Sequence, residues 1–244
     1  MFTTSNQKLK FCINTNLRYS AHTLHHIIPS LLKSNVNKDD ILVVEGGCSN
    51  YILTTNNFNI KHVKTTNNSF DLTCLIEIVE NQHNDTDYWF LIHDTCKVGE
   101  KFSTLVNNIP YNCNRIALHI HPSMYMGAYK YDFLVKNKKK LFEFKNKSND
   151  SQILKKLKQV CVCCEDIFLW RSPELCDMNT LDYTLPDIKT CPVYGRQKLK
   201  IIENSQWLIN NSNRIVEYYP QLDLYKSKAN YTFHTDCTKY TITV

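Results

Sequence analysis

Glycine is scarce in this chain, which has only five glycines among its 244 residues. Neither the G-x-G-x-x-G spacing of dinucleotide-binding loops nor the spacing of a P-loop occurs, so both classes of phosphate-binding loop are excluded. No run of roughly 18 apolar residues is present, and we therefore expect no transmembrane segment. Residues 1–10 are polar and lack the apolar core of a secretory signal, which predicts a cytoplasmic protein.

The composition is that of a globular chain with reduced thiols. Hydrophobic residues make up 43% and charged residues 21% of the sequence, and this length buries a sizeable core without disulfides, so we expect a single domain over residues 1–244. The eleven cysteines are an odd number, and without an export signal we expect free core thiols. The cluster at residues 161–164 lacks the second ligand pair that a structural zinc ion needs.

The net charge of +6 is concentrated in one lysine-rich segment, residues 136–147, which contains a single acidic residue, Glu143. Such a run is usually a solvated helix face or loop, although it also suits an acidic acceptor or a phosphate-rich membrane surface. No RNA-binding aromatic signature and no helix-turn-helix pattern accompanies it, so we expect no nucleic-acid partner.

Two periodicities alternate along the first half of the chain. Short apolar runs predict strands, and apolar residues at helical spacing predict helices between them. The expected order is strand 9–13, helix 22–32 with a bend at Pro29, strand 41–44, strand 60–63, helix 70–79 and strand 88–92. This alternation predicts an α/β fold with a mostly parallel central sheet flanked by helices.

Polar residues follow three of the predicted strands directly. They are Asn14–Asn16 after the first strand, Glu45 after the second and His93–Thr95 after the strand Tyr88–Ile92. The carboxyl ends of parallel strands share one edge, where ligands of open α/β sheets bind. Asp94 is therefore placed to hold a metal ion or a phosphate, and the alternative is that it only starts a turn.

This order of strand ends resembles the glycosyltransferase A-type (GT-A) fold. That fold has a first strand ending like Thr15-Asn16, a strand ending in an acidic residue like Glu45, and a later strand ending in an Asp-x-Asp triplet. The matching triplet here, His93-Asp94-Thr95 or Asp94-Thr95-Cys96, keeps one carboxylate. The resemblance implies that residues 1–100 bind a nucleotide sugar, that residues 101–244 face the acceptor, and that a sugar moves to the hydroxyl of a glycan or another acceptor.

The resemblance also implies donor-side contacts. In that fold the turn after the first strand contacts the nucleoside, the acidic strand end bonds the base or ribose, and a Mn²⁺ or Mg²⁺ ion holds the diphosphate. A C-terminal histidine often completes the metal site, and His234 is its match by position; the alternative is a surface histidine. The implied donor-binding residues are Asn14, Thr15, Asn16, Arg18, Glu45, Gly46, Asp71, His93 and Asp94, of which Arg18 and Asp71 could instead cap or start their own helices.

On the acceptor side, Glu165 and Asp166 precede an apolar run that suits a helix. They resemble the acidic pair with which inverting members of the fold accept the acceptor's proton, so one of them is the predicted catalytic base. The alternative is helix capping by Asp166. An aromatic cluster with Tyr125, Met126 and Tyr129 could stack on a sugar or belong to the core.

Two other functions remain open from the sequence. A nucleotidyltransferase also places an acidic metal site on a nucleotide-binding sheet, but its Gly-rich loop after the first strand is missing. A non-catalytic nucleotide- or glycan-binding protein would retain Asp94 as a remnant, and the single carboxylate keeps that alternative open.

Overall fold

The computed structural model describes residues 7–109, 111, 114–117, 126–145, 197–201, 215–219 and 222–228. Eleven strands and five α-helices are described. The strands are β1 (Leu9–Asn16), β2 (Ile41–Gly46), β3 (Ile52–Thr55), β4 (Lys61–Thr65), β5 (Tyr88–His93), β6 (Cys96–Val98), β7 (Arg115–Ala117), β8 (Gly127–Lys130), β9 (Gln197–Ile201), β10 (Ile215–Tyr219) and β11 (Leu224–Lys228). The helices are α1 (Ser20–Lys33), α2 (Thr73–Glu80), α3 (Phe102–Asn107), α4 (Tyr131–Lys136) and α5 (Lys138–Lys145).

Seven strands form the central sheet, in the order β3-β4-β2-β1-β5-β8-β7. Strands β4, β2, β1 and β5 are parallel to one another, and β3, β8 and β7 extend the sheet through antiparallel pairs. Every residue of β2 and of β5 is buried. Burial on both faces is why the runs Ile41–Val44 of β2 and Tyr88–Ile92 of β5 are apolar.

Helices cover both faces of this sheet. Strand residues Phe11 and Ile13 pack with α1 and α3 on one face, whereas Cys12 of the same strand packs with α2, α4 and α5 on the other. This follows from the pleat, because successive side chains of a strand point to opposite faces. We call these the α1 face and the α2 face.

A second, smaller sheet begins directly after Asp94 and Thr95. Its order is β6-β11-β10-β9, and all its pairs are antiparallel. The loop after β6 is held against the turn before β11, because Gly99 N donates to the Asp223 carbonyl (2.7 Å) and Lys101 N donates to the Asp223 carboxylate (3.1 Å). The chain after Asp94 is thus tied to a hairpin that comes far later in the sequence.

The predicted fold class is confirmed: an α/β fold with a mostly parallel central sheet flanked by helices. Details differ. The first strand continues to Asn16, where a turn was predicted, and Pro29 lies inside an α1 that runs unbroken to Lys33. The edge strand β3 was not predicted, since all four of its residues are exposed and give no burial pattern. None of the described helices has the length and apolar character needed to cross a membrane.

Candidate functional site

The predicted strand ends do meet at one edge. The register of the sheet places Thr15 opposite Glu45, and Asn14 opposite His93. The backbone N–H of Asp94 continues the ladder by donating to the carbonyl of Asn14 at 3.1 Å. The strand order also reverses here, because the chain passes from β1 to β2 on one side and from β4 back to β5 on the other. Such a switch point opens a crevice at the carboxyl ends of the strands.

The pleat divides the edge residues between the two faces. Thr15, Glu45 and Asp94 follow the alternation of Ile13, Val43 and Ile92, and lie on the α1 face. There they meet the first turn of α1, whose N-terminal N–H groups favour nearby negative charge. Asn14, Gly46 and His93 lie on the α2 face.

Asp94 is held by two hydroxyl groups. Thr15 Oγ1 donates to its Oδ2 at 2.7 Å, and Thr23 Oγ1 of α1 lies 3.1 Å from the same oxygen. The single hydrogen of Thr23 is shared with the carbonyl of Tyr19, 2.9 Å away. Burial raises the pKa of Asp94, against the opposing effects of the two threonine bonds and the positive charge of Lys226. The carboxylate is therefore fixed in direction by the end of β1 and the start of α1.

Glu45 is buried, and both of its carboxylate oxygens face internal partners. Ser20 Oγ donates to Oε1 at 2.8 Å, and His62 Nε2 of β4 lies 2.9 Å from Oε2. The contact with His62 is the main reason that the pKa of Glu45 lies below its ordinary value, and the hydrogen bond from Ser20 adds to it against the effect of burial. These contacts stabilise the junction of β2, β4 and α1. They do not test the ribose contact that the resemblance implies for Glu45.

His93 joins two charged groups on the α2 face. Its Nδ1 contacts the ammonium of Lys226, and its Nε2 lies 3.2 Å from Oδ1 of Asp71. Burial, and then the charge of Lys226, holds the pKa of His93 well below its ordinary value, so the ring is neutral. A neutral ring that accepts from an ammonium at Nδ1 carries its hydrogen on Nε2, the nitrogen nearer to Asp71. Asp71, His93 and Lys226 thus form a chain of contacts beside Asp94.

The other predicted donor-side residues connect the elements at this edge of the sheet or lie at its exposed side. Asn14 Oδ1 accepts from the backbone N–H of Cys74 at 3.1 Å and ties β1 to the start of α2. Asn16 Oδ1 accepts from the N–H of Arg18 at 3.0 Å, and the exposed guanidinium of Arg18 lies over the ring of Tyr19. Gly46 has no room for a side chain, because a Cβ there would lie 2.8 Å from the carbonyl of Asn67.

Ser20, Thr23, His62 and Lys226 were not predicted. The sequence gives a weak indication of Ser20 and Thr23 as site residues, because their hydroxyls open the helix that follows the first strand end. It gives no indication of His62, since this residue falls inside a predicted strand. It gives none of Lys226 either, because Lys226 is 133 positions from the histidine it contacts. Pairing of β11 with β6, which places Lys226 opposite Cys96, brings it to the site.

The side chains near Asp94 decide whether a divalent metal ion fits this edge of the sheet. Among the described residues, no group of three His, Cys, Asp or Glu side chains converges as a metal centre would require. Asp94 supplies one carboxylate, with an ammonium as its charged neighbour. The described residues therefore do not by themselves fit Mn²⁺ or Mg²⁺. His234, the predicted second ligand, lies outside the described residues, as do Glu165 and Asp166.

Of the aromatic cluster, Met126 and Tyr129 are fully buried in the two cores, whereas Tyr125 lies outside the described residues. Core packing, the alternative interpretation of this cluster, is thus confirmed for these two residues. They present no surface on which a sugar could stack.

No protein-family model matches the chain, and no curated protein matches it. Among solved structures, S. aureus TarS 1-349 is similar at 12% identity and a TM-score of 0.32, over 52% of this chain and 49% of that one. TarS 1-349 in complex with UDP is similar at 11% identity and a TM-score of 0.33, over 63% and 55% of the two chains. A further TarS structure gives 13% identity and a TM-score of 0.35, over 52% and 29%. The matches thus span about half, or less, of the length of TarS.

Proposed function

We propose that this chain is a glycosyltransferase that moves a sugar from a nucleotide-diphosphate sugar to an acceptor hydroxyl. One observation carries the proposal: the point where the strand order reverses, between β1 and β5, coincides with the hydrogen bond between Thr15 and Asp94. In open α/β sheets this is where ligands bind, outside the carboxyl ends of the strands. The polar side chains gathered there are suited to a nucleotide rather than to an apolar ligand.

The chemistry of the reaction sets the requirement for charge. A departing nucleoside diphosphate carries growing negative charge, which must be neutralised by a cation as the bond to the sugar breaks. The expectation of Mn²⁺ or Mg²⁺ at Asp94, with His234 as second ligand, stays a prediction. When bound, such an ion would act as a Lewis acid on the diphosphate. The catalytic base, predicted as Glu165 or Asp166, also stays a prediction.

A nucleotide-sugar screen tests the proposal. The chain is incubated with UDP- and GDP-sugars, with Mn²⁺ or with EDTA, and both the melting temperature and the release of nucleoside diphosphate are measured. We expect at least one nucleotide sugar to stabilise the fold and to be slowly hydrolysed without an acceptor. Asp94→Asn should lose most of the hydrolysis, whereas Asp39→Asn, an exposed acid at the opposite end of β2, should not. Absence of both binding and hydrolysis across the panel would refute the proposal.

A second candidate, a non-catalytic nucleotide- or glycan-binding protein, is favoured by the internal partners of Asp94 and Glu45. Carboxylates that are held by the fold can be retained for stability alone. The same screen separates the two functions. A binding protein would be stabilised by a nucleotide or a glycan but would release no nucleoside diphosphate, either alone or with added acceptors.

A further inference from the structure

We propose that the ammonium of Lys226 is the cation that faces the donor's diphosphate, in place of a divalent metal ion. The inference rests on the proposed function for the identity of the ligand. The structural basis of the inference is the position, burial and charge of Lys226, and this basis does not depend on the proposed function.

The position of Lys226 follows from the second sheet. β6 begins two residues after Asp94, and β11 pairs with it so that Lys226 lies opposite Cys96. From there the side chain reaches the end of β5, where Nζ contacts Nδ1 of His93, next in sequence to Asp94. The ammonium thus lies at the switch point of the central sheet, although Lys226 belongs to β11 of the second sheet.

Burial makes this lysine unusual. Lys226 is only 7% exposed, and burying an ammonium is costly unless opposite charge or hydrogen-bonding groups compensate it. The compensation is present, since His93 accepts at Nδ1 and the negative charge of Asp94 is close enough to interact with the ammonium. The Gly99–Asp223 contact holds the start of the same hairpin. A buried charge with a specific partner at the end of a central strand marks a candidate functional site.

The charge balance argues against a divalent ion beside it. The carboxylate of Asp94 lies close to the ammonium of Lys226, with Asp71 on the far side of His93, and a divalent ion beside Asp94 would add two positive charges next to that ammonium. Like charges at such short range repel strongly when water is largely excluded. The single carboxylate at the end of β5 and the monovalent cation next to it therefore belong together. Lysine also binds phosphate as a point charge, so it can keep its bond to His93 while it attracts a diphosphate.

Binding of inorganic pyrophosphate and of UDP to the whole chain, measured by titration calorimetry in EDTA, tests this inference. We expect the wild type to bind both ligands without metal. Lys226→Met, which keeps the length of the side chain and removes the charge, should weaken binding about 10- to 100-fold, as expected for a lost charge-assisted contact. Lys226→Arg should retain most of the affinity. The matched control is Lys97→Met, since Lys97 follows Cys96 and its side chain points to the opposite face of β6.

The outcomes separate this inference from the proposed function. If the wild type binds neither ligand in EDTA and requires Mn²⁺, the inference is overturned while nucleotide-sugar transfer stands, and this arm needs no variant to fold. If Lys226→Met, with a normal circular dichroism spectrum, binds as tightly as the wild type, the inference is also overturned. If metal-free binding depends on Lys226 but no nucleotide sugar is hydrolysed, the cation site is supported and the proposed function fails.

Discussion

The buried contact between Glu45 and His62 gives a pH-dependent prediction about stability. Glu45 accepts from Ser20 on one oxygen and faces His62 on the other, so Glu45→Gln removes a charge from two charge-assisted contacts. Hydrogen bonds to a charged group contribute about 1.5–3 kcal/mol each, and the amide of Gln retains one acceptor oxygen. We therefore expect Glu45→Gln to lower the free energy of unfolding by about 2 kcal/mol near neutral pH. The exposed Glu143→Gln, as matched control, should change stability by less than about 0.5 kcal/mol.

The sign of the pH dependence follows from the pKa of Glu45, which folding lowers below its ordinary value of 4.5. A group whose pKa is lower in the folded state stabilises the fold above its unfolded pKa, and this stabilisation is lost as the pH falls through the folded pKa. Urea denaturation should therefore give a difference in the free energy of unfolding between the wild type and Glu45→Gln. This difference should be largest near neutral pH and should disappear in acid. A difference that stays constant through the acid range would refute the reasoning, because an effect of shape alone does not depend on ionisation.

A double-mutant cycle locates the interaction. Glu45→Gln and His62→Gln each remove the same contact, so their costs should be non-additive by about 1 kcal/mol. Additive costs would show that Ser20, and not His62, provides the stabilisation. Nucleotide affinity, measured where Glu45→Gln is still folded, should change little, because both carboxylate oxygens face the interior; a large loss would support the ribose contact implied by the resemblance.

Two further predictions concern the edges of the site. Gly99→Ala should destabilise the fold by about 1–3 kcal/mol, because its Cβ would lie 2.1 Å from the carboxylate of Asp223 and Lys101 N holds that carboxylate in place. Thermal denaturation measures this loss of stability. A loss no larger than that of an exposed substitution would contradict the prediction. Thr15→Val should lower the free energy of unfolding by about 1.5–3 kcal/mol. Thr23→Val should lower it by less, because the Thr23 hydroxyl also donates to the carbonyl of Tyr19. If urea denaturation gives the reverse order, Thr23 and not Thr15 is the main hydrogen-bond donor to Asp94.

The sequence was sufficient for features that depend on neighbouring residues. An apolar run such as Tyr88–Ile92 has to be buried on both faces, and alternation of such runs with helical periods leaves few arrangements other than a mostly parallel sheet. Because parallel strands end at one edge, it also followed that Thr15, Glu45 and Asp94 would lie near one another, as the register confirms.

Tertiary structure alone decided what those side chains contact. The pleat and the packing of α1 placed Glu45 against Ser20 and His62, and the pairing of β11 with β6 brought Lys226 to His93 from 133 positions away. Contacts of this kind leave no periodic trace in a sequence, because a single buried polar residue is chosen by partners that only the folded chain brings within hydrogen-bonding distance. Hence the sequence located the edge of the sheet where these polar residues gather, and the fold determined which charges lie there.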